Sequence, residues 1–314
     1  AGSIMTVEFM DLKESYTVEQ SLRKIRMEGI DKETINTCYI LNPHRRLLGA
    51  ISLRRLLLSD PVEKMSNIME DHVISVNTQT DQEEVAQLFQ KYDFTSIPVV
   101  DSEGRLVGII TVDDIVDILQ QEATEDIEKM AAITPTDKPY MKTGVLETWK
   151  KRIPWLLILM ISATFTGRII SHYEAALASY VVLTAFIPML MDTGGNAGSQ
   201  ASVSIIRGLS LNEIDYSDTL KILLKELLVG ILIGATLAVA NFVKLLVIDR
   251  VTVTIAAVVC LTLIVTVVFA KLVGCSLPVL AKRLGFDPAV MASPFITTIV
   301  DALSLMMYFK IAGA

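Results

Sequence analysis

The sequence predicts an α+β half followed by an all-α membrane half: a soluble repeat, a long acidic connecting helix and five transmembrane helices. Three observations predict it. The 314 residues are 52% hydrophobic, and the long apolar runs all lie after Arg152. Charge divides at the same place, with 16 Lys and Arg against 26 Asp and Glu from Ala1 to Lys150, but 12 against 9 from Lys151 to Ala314. The first 120 residues also carry one pattern twice, with a period of about 60 residues.

In each copy an amphipathic helix (Val18 to Met27, then Gln82 to Tyr92) precedes a short strand (Tyr39 to Leu41, then Ile97 to Val100). A turn, NPHRR or DSEGR, leads to a second strand and helix, LLGAISLRRLLL or LVGIITVDDIVDIL. The expected divisions are 1–62 and 63–120 for the repeats, 121–152 for the acidic helix and 153–314 for the membrane part. No signal peptide is expected, because no long apolar run precedes Arg152, so the acidic half stays in the cytoplasm. Cys38, Cys260 and Cys275 are scattered, without CxxC spacing, and read as buried small hydrophobes.

The repeat, with SIPVVDSEGRLVGIITVDDI in its second copy, resembles a tandem pair of CBS domains over roughly residues 4–120. That resemblance implies an adenine nucleotide such as ATP in the cleft between the copies. It makes Thr111 and Asp113 candidate ribose contacts, Phe94 a candidate adenine stack and Arg54 a candidate phosphate partner. Phe94 fits a core position equally well, and Arg54 a solvated charge.

Carboxylates are in excess at Asp81, Glu83, Glu84, Asp93, Asp113, Asp114 and Asp117, then at Glu122, Glu125, Asp126 and Glu128 in QQEATEDIEKM. Such a run is usually a solvated face. Here it leads toward the membrane, where facing carboxylates would repel until a divalent cation bridged them. Oxygen ligands without a His or Cys cluster favour Mg²⁺ or Ca²⁺ over zinc.

Five apolar runs follow: Ile153 to Ser171, Ala175 to Ile206, Ile222 to Val243, Thr252 to Gly274 and Phe286 to Tyr308. Pro154 fits a helix start, and Trp149 and Trp155 fit interface anchors. Lys150, Lys151, Arg152, Arg207, Lys221, Lys225, Lys282 and Arg283 fall on one side, against Lys244, Arg250 and Lys310 on the other. The positive-inside rule puts the acidic half in the cytoplasm and the C-terminus outside.

In the second run, PMLMDTGGNAGSQASVSIIRG, Asp192, Asn196 and Gln200 recur every four residues and share a helix face. Gly194, Gly195 and Gly198 would let the helix unwind and free carbonyls, with a kink at Pro188; tight helix packing would explain the glycines as well. In the last run, SPFITTIVDALSLMMYF, the residues Ser293, Thr297, Asp301 and Ser304 form one polar stripe. A carboxylate at the bilayer centre costs roughly 3 kcal/mol on insertion scales, so Asp301 needs an ion, water, or a partner such as Arg168 or Lys271.

Together, PMLMDTGGNAGSQ, the acidic EATED and SPFITTIVD resemble the MgtE family of magnesium transporters and channels along the whole chain. The resemblance implies a homodimer in the lipid bilayer of the cell membrane, with no nucleic-acid partner and no enzymatic activity. It implies that Asp301 of both copies binds hydrated Mg²⁺ near the midplane, with Mn²⁺ or Co²⁺ as surrogates. Asn196 and backbone around Gly194, Gly195, Thr297 and Ser293 would help. It also implies closure by cytosolic Mg²⁺ at Asp81, Glu83, Asp93, Asp114, Asp117, Glu122, Glu125 and Asp126. Family members usually carry a further helical domain before the CBS pair, so this sequence reads as a short member or a truncated one. The competing expectations are a CBS-regulated carrier for another solute, which Lys271 alone favours, and a membrane-tethered nucleotide sensor, which leaves Asp301 without a purpose. His44, His72 and His172 lack the partner spacing of a catalytic or metal site.

Overall fold

A computed structural model describes residues 1–136, 138–173, 181–291 and 293–312, which form two compact units, Ala1–Ala123 and Thr124–Ala314. In the first unit the repeat is explicit. Strands β1 (Phe9–Lys13), β2 (Thr34–Leu41) and β3 (Leu47–Ser52) form one sheet, and β4 (Val76–Asn77), β5 (Ser96–Val100) and β6 (Leu106–Thr111) another. Each sheet has a parallel pair followed by an antiparallel pair; Cys38 faces Ile51 in the first, and Ile97 faces Ile110 in the second.

Helix α1 (Val18–Glu28) starts at a reciprocal cap: the Gln20 amide donates to the Thr17 hydroxyl at 3.3 Å, and the Thr17 amide to the Gln20 side chain at 3.0 Å. Helices α2 (Leu53–Leu58) and α3 (Met65–Ile68) follow, then α4 (Gln82–Tyr92). Each repeat borrows part of its core. Met65 and Ile68 pack with Met10, Ile40 and Ile51, whereas Ala1, Ile4 and Met5 pack with the second copy's Val85, Ile97 and Ile110. The leading segments are thus exchanged, and the packing does not divide at residue 62.

Helix α5 (Val112–Met130) carries the acidic run, but the single connecting helix expected over 121–152 is not formed. The helix stops at Met130, and Ala132 takes a left-handed conformation (φ 54°). Pro135 and Pro139 then resist helix by lacking an amide donor, and a short 3-10 turn (Tyr140–Lys142) precedes α6 (Val145–His172). Pro154 consequently lies inside α6 rather than at its start, because Gly144 caps the helix nearly three turns earlier.

The second unit continues with α7 (Ile187–Ser210), α8 (Thr219–Val247), α9 (Val253–Arg283) and α10 (Ser293–Ala312). Among the described residues, four segments are long and apolar enough to span a bilayer: Val145–His172, Thr219–Val247, Val253–Arg283 and Pro288–Ala312. Helix α7 has the length, about 36 Å at 1.5 Å per residue, but its polar and glycine content keeps it from that group. The opening of the expected second span, residues 175–180, lies outside the described residues. Pro188 sits in the first turn of α7, where its missing amide costs nothing, so it starts the helix instead of kinking it. Helix α9 is central, packing against α7, α8 and α10, while α6 lies on α10.

Candidate functional site

The glycine-rich stretch remains helical throughout α7, contrary to the expected unwinding. Close packing accounts for the glycines. A Cβ on Gly194 would sit 2.7 Å from Thr266 Cγ2 and 2.9 Å from Val300 Cγ1, and one on Gly195 would meet Thr297 Cγ2 at 3.0 Å. At the crossing with α9, a Cβ on Gly274 would collide with the Gly198 carbonyl oxygen.

With that face buried, the opposite face is fixed. Asp192, Asn196 and Gln200 are exposed, whereas Leu190, Ala197, Ala201 and Ile205 are buried. Across the α7–α10 contact lies Asp301, half-buried, and its carboxylate and that of Asp192 repel one another. Thr297 turns its hydroxyl to the Pro294 carbonyl at 3.0 Å and its methyl to Gly195. Ser304 is buried and donates to the Val300 carbonyl at 2.6 Å, so it leaves the expected stripe. Ser293 opens α10, and its side chain lies outside the described residues.

Among the described residues, Asp301 forms no ion pair, with Arg168 and Lys271 included. Instead, Lys271 Nζ lies 3.5 Å from Glu226 Oε2, with side chains 7% and 13% exposed. Sequence reasoning missed Glu226 because LLKELLVG reads as a helix entry beside lysines, with nothing to mark its depth.

The acidic residues are dispersed. Asp81 is the N-cap of α4, accepting from the Glu83 amide at 2.9 Å, and Asp93 ends that helix in a left-handed conformation (φ 52°). Asp114 accepts from the Thr111 hydroxyl at 2.8 Å, Glu122 accepts from Gln82 at 2.7 Å, and Asp113, Asp117 and Glu83 are exposed. Among the described residues no three His, Cys, Asp or Glu side chains stand together as a metal site. The densest contacts lie at the end of α5. There Lys129 Nζ reaches Glu125 at 2.5 Å and Asp287, between α9 and α10, at 2.6 Å, while Ser210 donates to Asp126 at 3.4 Å. Burial alone would depress the Lys129 ammonium, but its hydrogen bonds to Asp287 and Glu125 prevail and raise its pKa. Asp287 was not singled out in the sequence because a lone Asp before Pro reads as a turn residue.

Between the two repeats lies a cavity of about 420 Å³, whose lining includes Tyr39, Ser52, Glu70, His72, Asp93 and Phe94. Tyr39 donates or accepts at 2.9 Å with Ser96, and burial pushes its phenol up to about 12. Phe94 stacks on Tyr92 with centroids 5.4 Å apart. Of the four residues expected to hold a nucleotide, only Phe94 lines this space: Arg54 is exposed on α2, Thr111 ends β6 and Asp113 lies in the first turn of α5.

Residues 187–311 match the family model MgtE, divalent cation transporter, and residues 65–121 match the CBS domain. The magnesium transporter MgtE of Thermus thermophilus is 42% identical over 312 residues, which are 99% of this chain and 69% of that protein. This chain belongs to the MgtE family. The Bacillus subtilis MgtE magnesium transporter is 37% identical, again over 69% of its length. Among solved structures, the cytosolic domain of the Mg²⁺ channel MgtE in complex with ATP is 50% identical over 38% of this chain and 48% of that one, with a TM-score of 0.37. The MgtE match begins at the first residue of α7 and takes in the polar stripe and Asp301.

Proposed function

We propose that this chain carries Mg²⁺ across a cell membrane along a path lined by Asp301 and Asn196, and that Mg²⁺ bound to its acidic cytosolic surface closes the path. The observation that carries this reading is the open polar face of α7 beside the half-buried carboxylate of Asp301. Facing lipid, that stripe is costly, and a second copy related by a two-fold axis would cover it. Two Asp301 carboxylates and two Asn196 amides would then surround one axis. Mg²⁺ gives up water reluctantly and is usually held by one or two carboxylates plus retained waters, so this set suits a hydrated ion. Helical carbonyls near Gly194, Gly195 and Thr297 keep a second lone pair for its water shell, with Ser293 assigned to the mouth. Selection by cavity size and hydration geometry would admit Mn²⁺ and Co²⁺ as surrogates.

Closure is assigned to the end of α5. Met130 packs with Ile206 of α7 and with Ala289, just before α10. Mg²⁺ shared among Glu125, Asp126 and Asp287 would therefore restrain the helix that bears Asp301. Asp81, Glu83, Asp93, Asp114, Asp117 and Glu122 are assigned to sites completed by the second copy, each weak alone and steep together. The cavity at Phe94 is assigned to an adenine nucleotide. In this reading the repeats are cytosolic and the C-terminus is outside.

The test is Mg²⁺ flux into proteoliposomes, with Mg²⁺ on the repeat side raised from micromolar to tens of millimolar. Flux should fall as that concentration rises and should vanish in Asp301→Ala. Flux that persists in Asp301→Ala would remove the assigned path. Absence of wild-type flux at every concentration would remove the transport reading.

A further inference from the structure

We propose that the pocket between the end of α5 and the start of α6 holds the phosphate headgroup of an anionic phospholipid. This rests on α6 being a membrane span and not on which ion is carried. The pocket has a volume of about 260 Å³ and lies wholly within the second unit; Glu128, Thr136, Thr148, Lys151 and Arg152 are among its lining residues. Its charges are unevenly committed. Glu128 accepts from the Thr136 amide at 2.8 Å, Lys138 pairs with Glu147 at 2.9 Å, and Lys151 donates to the Pro135 carbonyl at 3.0 Å. Arg152 makes no ion pair or hydrogen bond among the described residues and is exposed; Lys142 and Lys150, close to it in the chain, are exposed as well. Guanidinium and ammonium groups with nearby hydroxyls are the donor set that a phosphodiester takes.

The rim says where that phosphodiester comes from. Tyr140, Met141, Val145 and Leu146 are 75–91% exposed, and Trp149 is 56% exposed. This apolar surface is unsuited to water, and beyond Lys150 and Arg152 the same helix exposes Leu156, Leu157, Met160 and Ile161. Acyl chains covering that strip would place a headgroup at Lys150 and Arg152, where basic residues and an aromatic side chain mark a bilayer interface. Charge complementarity and continuity with the span therefore favour a lipid over a soluble anion. The same helix leads to the ion path: Trp155 packs edge-on against Phe295 of α10, with centroids 5.6 Å apart.

The full chain in detergent, carrying Trp155→Phe so that Trp149 is the remaining tryptophan, would be titrated with dihexanoyl phosphatidylglycerol, with the matching phosphatidylcholine and with inorganic phosphate, reading Trp149 emission. We expect a saturable change with phosphatidylglycerol at much lower concentration than with phosphatidylcholine. Lys150→Gln and Arg152→Gln should each move the midpoint upward by about fivefold, and Arg152→Lys should restore part of the shift. Equal midpoints for the two lipids, or midpoints unmoved in both variants, would overturn the proposal. Saturation by inorganic phosphate at the phosphatidylglycerol midpoint would reassign the pocket to a soluble anion. A change that follows protein concentration instead of lipid would reassign the rim to a contact between copies.

Discussion

At the scale of single residues, the most consequential side chain outside the ion path is Lys271, buried in α9 and paired with Glu226 of α8. Two charges removed from water repay their desolvation only by facing each other, and losing one leaves the other uncompensated. Lys271→Met should destabilise the protein by about 3–5 kcal/mol, read as thermal unfolding in detergent. Lys271→Met combined with Glu226→Gln should recover most of that loss and retain Mg²⁺ flux, because neither residue lies on the polar face of α7. Equal destabilisation in the single and double variants would show that the two charges are not coupled. Asp81 poses the opposite problem, since its carboxylate both caps α4 and belongs to the acidic surface. Asp81→Asn keeps the cap and Asp81→Ala loses it, so only the alanine variant should cost about 1 kcal/mol in chemical unfolding of the protein. Both variants should weaken closure by Mg²⁺ alike if the charge is what the ion uses; closure weakened only in Asp81→Ala would mean the cap alone matters.

Among elements, α5 shows how a charge becomes a mechanical link. Lys129 joins Glu125 to Asp287, and its hydrogen bonds raise its pKa above the ordinary lysine value. A group whose folded pKa is raised contributes its stability fully below the unfolded value, near about 10.4, and loses it only as pH rises through the folded value. The link should therefore be insensitive to pH between about 6 and 9, which protease cutting in residues 131–144 can measure at fixed low Mg²⁺. A cutting rate that climbs across that window would place the control elsewhere. The elements also show what the sequence could reveal. The two repeats, α4 and the polar stripe of α7 were legible because period-2 and period-3.6 patterns survive in the residues themselves. The end of α5 was not, because the acidic run hides a break set by Ala132, Pro135 and Pro139. Nor was the continuity of α7, because glycine permits both unwinding and close approach, and only the positions of Thr266, Thr297 and Ala270 on other helices decide between them.

For the molecule as a whole, one copy leaves its most polar membrane face uncovered, and that is the strongest structural reason to expect two. Asp192, Asn196 and Gln200 point away from the packed helices, while lipid-compatible side chains such as Leu232 and Val239 of α8 are also exposed. Lipid can cover the second kind of surface and not the first. Cys38, Cys260 and Cys275 are all buried, so a new surface cysteine would dominate labelling. Asn196→Cys in membranes should therefore join two copies through a short bis-maleimide, whereas Leu232→Cys should not. Addition of Mg²⁺ should slow the reaction at position 196, because an ion on the two-fold axis would occupy the space between the thiols. Cross-linking at Leu232 with none at Asn196 would turn the pairing face around, and Asp301 would then need water from its own copy's surface instead of a shared axis.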